Sequence, residues 1–455
     1  MRIVSTILLL LALAAPAAGQ VAWRGADISF LPKIEDHGGV YTDGGVPGDL
    51  FDILADHGVN LIRLRLWHTP AEGYCDLDDT LAMALRAHAA GQDILLDFHY
   101  SDTWADPAHQ AKPAAWAALP FATLIDSVHA RTRDVLAALI AQGTPPAMVQ
   151  LGNEITPGML WDDGRVGGAF NTPEQWSQFA QLLGAARDGV SDAFAPDPGP
   201  LIMIHCDRGG DNGGCQWFFG NLFTQGFDFD LIGLSYYPWW HGTFADLEAN
   251  IDDLAVRYGK DIVIVETSYP WTLGWFDDTH NSVGLPEHLL PGYPDTPSGQ
   301  RAFLDDLFAI VADVPDGRGR GVVYWEPGSI TTPTLGSSRE NLALFDETGE
   351  VLPALEAFLP ATSVGTSTGT GLSLHYMSRD TAGGFVLSLA AAMPRHGVLR
   401  VYDTRGRLVD VIWDGRLVPE AREVAWRPGR LVSGTYLFRL SSGGDSATRK
   451  VVHVR

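Results

Sequence analysis

The chain has 455 residues, enough for one large domain and a smaller one. Its 31 basic and 55 acidic residues give a net charge of −24, which argues against nucleic acid as a partner and is compatible with a neutral polymer. Three cysteines with no Cys-x-x-Cys pair exclude a disulfide framework and a thiolate zinc site.

The N-terminus carries Arg2, an apolar stretch from Ile7 to Ala15 and the small residues Ala17, Ala18 and Gly19. This pattern predicts a signal peptide over residues 1–19, cleaved before Gln20, and hence a secreted or cell-surface protein. The apolar stretch is too short to span a bilayer, so no transmembrane segment is expected.

Residues 20–360 alternate short apolar runs with longer stretches of helical periodicity. The runs predict eight strands: Trp23 to Asp27, Asn60 to Trp67, Asp93 to Tyr100, Met148 to Glu154, Leu201 to Asp207, Asp230 to Tyr237, Ile262 to Thr267 and Gly321 to Glu326. Helices are predicted over Leu77 to Ala90, Phe121 to Ala141, Pro173 to Ala193, Phe244 to Tyr258 and Gln300 to Val314. Eight βα units imply a closed (β/α)₈ TIM barrel. An open doubly wound sheet is the alternative, but no glycine-rich turn follows the first strand. Cys206 and Cys215 flank the glycine-rich stretch from Asp207 to Gly214, which reads as a loop closed either by a disulfide or by none.

A Thr/Ser/Gly linker covers residues 361–371, and short alternating runs over 372–455 predict a small all-β, immunoglobulin-like sandwich. From Gly371 onward there are 13 basic and 7 acidic residues, net +6, against −30 for everything before. The two parts answer different demands.

Candidate chemistry collects at the C-terminal ends of the strands, where barrels place their sites. Glu154 and Glu266 each end an apolar run, and a carboxylate there is costly to desolvate. Two such carboxyls suit glycoside hydrolysis, one as acid and one on the opposite side of the anomeric carbon. Strand alternation groups Arg63 with Arg65, Asp97 with His99, and Ile262 and Ile264 with Glu266 on inward faces. Arg63 and Asp97 sit nearer the strand middles and read first as a buried ion pair, while Arg65 and His99 face the mouth. Asn153 suits a sugar hydroxyl, and Tyr236 or Tyr237 could hold Glu266 ionised. Aromatic residues cluster after the strands, among them Trp104, Trp239, Trp240 with His241, and Trp325, as platforms for sugar rings.

The motifs Gly25-Ala-Asp-Ile-Ser, His57-Gly-Val-Asn-Leu-Ile-Arg-Leu-Arg-Leu-Trp67, Leu95 to Pro107, Gly152-Asn-Glu154, Gly233 to Gly242, Val265-Glu-Thr-Ser-Tyr-Pro270 and Tyr324-Trp-Glu-Pro327 resemble the endo-β-1,4-galactanases of glycoside hydrolase family 53. The resemblance implies a retaining endo-galactanase acting on galactan side chains of pectin and type I arabinogalactan. It makes Glu154 the acid/base, Glu266 the nucleophile, and Arg65, Asp97, His99, Asp102, Trp104, Asn153, His205, Asp207, Tyr237, Trp239, Trp240, His241 and Trp325 substrate-binding. No cofactor is required. A structural calcium through Asp278 and His280 is implied by bacterial relatives, although Phe276 stands where another acid is expected. The tail resembles type IX secretion sorting domains, which implies a partner in secretion machinery, with a carbohydrate-binding module as the alternative. Other readings are a related endo-glycanase acting on mannan, xylan or β-glucan, and a non-catalytic carbohydrate-binding barrel.

Overall fold

In a computed structural model the chain divides into two compact units, Met1–Pro360 and Ala361–Arg455. The structure describes residues 21–360 and, beyond them, 372–379, 385–391, 395–403, 408–418, 422–427, 434–442 and 445–453. The signal peptide and the linker lie outside the described residues.

Eight parallel strands close the first unit into a barrel: β1 Trp23–Asp27, β2 Leu61–Leu66, β3 Asp93–Phe98, β4 Met148–Leu151, β5 Leu201–Cys206, β6 Leu231–Ser235, β7 Asp261–Glu266 and β8 Gly319–Trp325. β1 completes the ring by pairing with both β2 and β8, so that Asp27 lies opposite Arg63 and Trp325. Several strands stop short of the expected bounds. β4 ends at Leu151, and Gly152 (φ 86°) turns the chain, so Glu154 (φ 47°) stands on the turn rather than on the strand.

The expected helices form, as Leu77–Ala89, Phe121–Gln142, Pro173–Phe194, Phe244–Tyr258 and Pro297–Ala312. Further helices, among them Leu50–Asp56 and Asn212–Thr224, occupy stretches without a predicted helix. In the second, Gly213 and Gly214 disfavour the first turn, but Asp211 caps it by accepting from Gly214 N at 2.9 Å. Cys215, Phe218, Phe219 and Leu222 then bury one face. Burial of that face outweighs propensity. Cys206 and Cys215 are free thiols with their sulfurs 3.9 Å apart.

Two apolar layers flank the barrel wall. Outward residues such as Ile62, Leu64, Leu96, Ile262, Ile264 and Tyr324 pack under the helices, whereas Leu61, Leu95, Met148, Met203, Leu231, Val263, Val265 and Val323 fill the interior. β7 therefore corrects the expected alternation, because Ile262 and Ile264 face out. Glu266 turns inward because the β6–β7 register slips by one residue, so that Leu234 opposes Ile264 while Ser235 opposes Glu266. Such an irregularity re-aims a side chain at a strand end.

No helix among the described residues is long and apolar enough to cross a membrane. The second unit holds two antiparallel sheets, one with strands Leu372–Arg379, Phe385–Ala391 and Arg422–Trp426, the other with Leu408–Leu417, Arg395–Asp403, Gly434–Ser442 and Asp445–His453. Leu374, Leu387, Leu399, Trp426 and Phe438 belong to its core. Alternating burial along Phe385–Ala391 matches the short alternating runs of its sequence.

Gly25 gives β1 room to approach the interior layer: a Cβ there would sit 2.8 Å from Val323 Cγ2. Gly25→Ala is expected to destabilise the barrel by about 1–3 kcal/mol through overpacking, measured by denaturant unfolding.

Candidate active site

Above the apolar interior layer the barrel becomes polar, and Arg63 on β2 is its centre. Every N–H of its guanidinium is used: Nη1 donates to Asp27 Oδ2 and Glu266 Oε1 at 2.8 Å each, Nη2 to Asp97 Oδ2 at 2.8 Å and Asn153 Oδ1 at 2.7 Å, and Nε to Gln150 Oε1 at 3.3 Å. The sequence suggested a structural ion pair with Asp97. The structure extends that pair to a carboxylate of the site itself.

Asp97 is fully buried and occupied, accepting from Arg63, from Gln150 Nε2 at 2.7 Å and from His99 Nε2 at 3.0 Å. Its carboxylate is held by these protein partners beneath the cleft. His99 Nδ1 accepts from Trp67 Nε1 and Ala105 N, so both of its ring nitrogens are engaged and only its face borders the cleft. Burial first, and then the arginines, holds the His99 pKa down despite Asp97.

Glu266 receives two hydrogen bonds, from Arg63 Nη1 to Oε1 and from Tyr237 Oη to Oε2 at 3.0 Å. Tyr236 instead turns outward and donates to Gly242 O. Burial raises the Glu266 pKa, and Arg63 and the Tyr237 hydroxyl oppose the rise.

Glu154 has a different environment. Ser235 Oγ donates to its Oε1 at 2.6 Å, and its backbone N–H donates to His205 Nδ1 at 3.3 Å. Burial, Glu266 and Asp207 push its pKa well above the ordinary glutamate value, opposed by the Ser235 hydroxyl and Arg63. His205 is fully buried, and burial with Arg63 keeps the ring neutral. With Nδ1 accepting from Glu154 N and Gln150 Nε2, the ring proton sits on Nε2 and is donated to Ser235 Oγ at 2.9 Å. That tautomer turns the serine hydroxyl toward Glu154. Asn153 Oδ1, 3.0 Å from His205 Nδ1, is satisfied instead by Arg63 and Gln150. His205 therefore acts through Ser235 rather than on substrate.

A cavity of ≈ 530 Å³ opens above this layer, bordered by Arg65, Asn153, Glu154, Tyr237, Glu266 and Trp325, and also by Phe30, Trp104, Trp240 and Glu326. A second cavity of ≈ 700 Å³ adjoins it at Asp106, Glu154 and Trp240, and is lined by Asp207, Arg208 and His241. Asp102 and Trp239 border neither of these cavities. Asp102 ties the surrounding loops by accepting from Thr69 N and Ala114 N. Asp278 and His280 are exposed, and His280 packs edge-on against Trp275. Among the described residues no group of three or more His, Cys, Asp or Glu side chains is arranged to hold a metal. In that loop Asp277, one residue earlier, is the tethered acid, bound by Thr331 Oγ1 and Ser337 N.

Ser235 and Gln150 carry no sequence signal of their own beyond lying at inner strand ends, whereas Glu326 ends the eighth apolar run much as Glu154 ends the fourth. Glu326 (φ 52°) is buried 3.4 Å from Arg65. Burial pushes its pKa up to about 8, with Arg65 opposing and Asp27 adding.

Two carboxyls in one cleft, one ion-paired and the other with its pKa pushed well up by burial, match what a glycosidase needs of an acid and a carboxylate. The family model for Glycosyl hydrolase family 53 matches residues 23–358. The chain belongs to glycosyl hydrolase family 53. It is 47% identical over 340 residues to a Niallia circulans protein known as "Uncharacterized protein in bgaB 5'region", covering 73% of this chain and 92% of that one. It is 37% identical over 349 residues to the arabinogalactan endo-beta-1,4-galactanase of Thermothelomyces thermophilus, covering 74% and 99%. The Ignisphaera aggregans GH53 catalytic domain superposes with a TM-score of 0.69 at 38% identity, over 76% of this chain and 97% of that one. As a family 53 barrel, the first unit is a glycoside hydrolase, and the tail lies outside the matched region.

Two outcomes follow for this family 53 site. In Ser235→Ala, Glu154 loses the donor that favours its ionised form, so its pKa rises and the basic limb of the pH–activity profile moves to higher pH. Glu326 has a folded pKa near 8 against roughly 4.3 unfolded. Its contribution to stability is full below the unfolded value and is lost as pH rises through the folded one. Glu326→Gln, neutral throughout, should therefore gain thermal stability relative to wild type as pH goes from about 5 to about 8.

Proposed function

We propose that the protein is a retaining endo-β-1,4-galactanase that cleaves β-1,4-galactan of pectin side chains and type I arabinogalactan. The observation that carries this reading is the unequal environment of the two glutamates. Glu266, held by Arg63 and Tyr237, is kept available as a carboxylate nucleophile; Glu154, with one hydroxyl donor and two acidic neighbours, keeps its proton. Glu266 attacks the anomeric carbon while Glu154 protonates the departing glycosidic oxygen, and a glycosyl-enzyme ester forms. Glu154, now a base, takes a proton from water, which displaces Glu266 from the sugar.

The two cavities give the cleft a direction. Glu266 borders the first, and Glu154 borders both. The sugar under attack therefore lies in the first, against Trp104 and Trp325, and the leaving chain passes over Asp207, Trp240 and His241. A cleft continuing on both sides of the acid suits cleavage within a polymer. Galactan as the polymer is supported by the galactanases among the relatives. Export is supported by the signal sequence, and a sorting role for the tail rests on its resemblance to secretion domains.

Glu154→Gln and Glu266→Gln should each lower kcat on linear β-1,4-galactan by at least about 10²-fold, with thermal unfolding little changed. Proton NMR of fresh products should show the β anomer first. Substantial activity in either variant, or the α anomer first, overturns the mechanism. Greater activity on mannan, xylan or β-glucan overturns the substrate.

A further inference from the structure

One wall of the cleft is a pair of tilted indoles with a guanidinium laid on each end. Arg65 Cζ lies 4.1 Å from the Trp104 ring, Trp104 and Trp325 are 6.1 Å apart and tilted by 49°, and Arg339 Cζ lies 3.8 Å from the Trp325 ring. This changes what Trp325 offers. One face of its indole carries a guanidinium, so that face is no open platform for a sugar. Contact with an aromatic face orients a guanidinium and favours it over a hydrated lysine.

Arg339 comes from the segment after β8 and borders the same cavity as Glu154, Tyr237 and Glu266. Its backbone N–H is fixed on Ser337 Oγ at 3.2 Å. Its Nη1 is buried, yet finds no acceptor among the described residues. Arg63, in the layer below, has every donor satisfied. A buried donor left unmet is costly. The molecule that enters this cleft carries oxygen acceptors on every ring.

We propose that Arg339 is a substrate-binding residue, whose guanidinium donates to a hydroxyl oxygen of the galactosyl unit in the first cavity while Trp325 fixes the guanidinium plane. The proposal rests on the galactanase reading of this cleft. A sugar hydroxyl suits the donor better than a uronate, because Glu266 and Glu326 already lie within reach of its charge. The competing role is purely electrostatic, with Arg339 acting only as a positive charge near Glu266.

The test measures kcat and KM on linear β-1,4-galactan from about pH 4 to about pH 8 for the full chain, Arg339→Met and Arg339→Lys. Methionine keeps an apolar stem on Trp325 and removes the donors. A lost hydrogen bond to a charged donor should lower kcat/KM about tenfold to a hundredfold in Arg339→Met, with both pH limbs in place and partial recovery in Arg339→Lys. A kcat/KM within about twofold of wild type overturns the proposal, that being the scatter a spectator contact produces. So does a loss confined to kcat with a displaced acid limb, which is the electrostatic signature. If Arg339→Met fails to fold, Arg339→Leu, which also lacks a donor, is judged by the same outcomes. Failure of the galactanase reading shows separately, because the wild type would then leave galactan intact.

Discussion

Five hydrogen bonds from one buried guanidinium hold the catalytic layer together. Arg63 gathers carboxylates from β1, β3 and β7 and amide oxygens from Gln150 and Asn153. Removing one partner of a buried ion pair typically costs about 3–5 kcal/mol, so these residues fix one another. The cluster also has more negative than positive groups. Burial, Glu266 and Asp207 push the Glu154 pKa well up, whereas Glu266 has the Arg63 guanidinium directly on its carboxylate. The contrast between the two glutamates thus begins in the layer below them.

That layer rests on apolar ground. The interior ring from Leu61 to Val323 excludes water from beneath Arg63, which makes every charge above it depend on protein partners. His205 shows how far the dependence reaches. Its burial keeps it neutral, the donors Glu154 N and Gln150 Nε2 on Nδ1 set its tautomer, and the tautomer aims Ser235 at Glu154.

The barrel was legible in the sequence because periodicity records which faces are buried, and eight apolar runs recorded it eight times. Asn212–Thr224 was not, since its glycines signal a loop and its buried face becomes meaningful only beside the helices Pro173–Phe194 and Phe244–Tyr258. The two glutamates stood out as charges ending apolar runs. Ser235 did not, because a serine ending a strand is ordinary until Glu154 lies across from it. Asp97, nearer the strand middle, reads in sequence as one half of a buried ion pair, and the structure adds two further partners to its carboxylate. Sequence gives the face on which a side chain lies but not whether its valences are taken.

The register slip between β6 and β7 reaches beyond local geometry. Val263 and Val265 point into the barrel, so regular alternation would direct Glu266 toward the helices, and a single offset restores it to the cleft. The inward carboxylate of β7 is therefore specified by spacing as much as by identity. Over evolutionary time such a strand tolerates exchange of one apolar residue for another, yet a one-residue insertion or deletion between Ile262 and Glu266 would turn Glu266 out of the cleft while leaving the hydrophobic composition nearly unchanged.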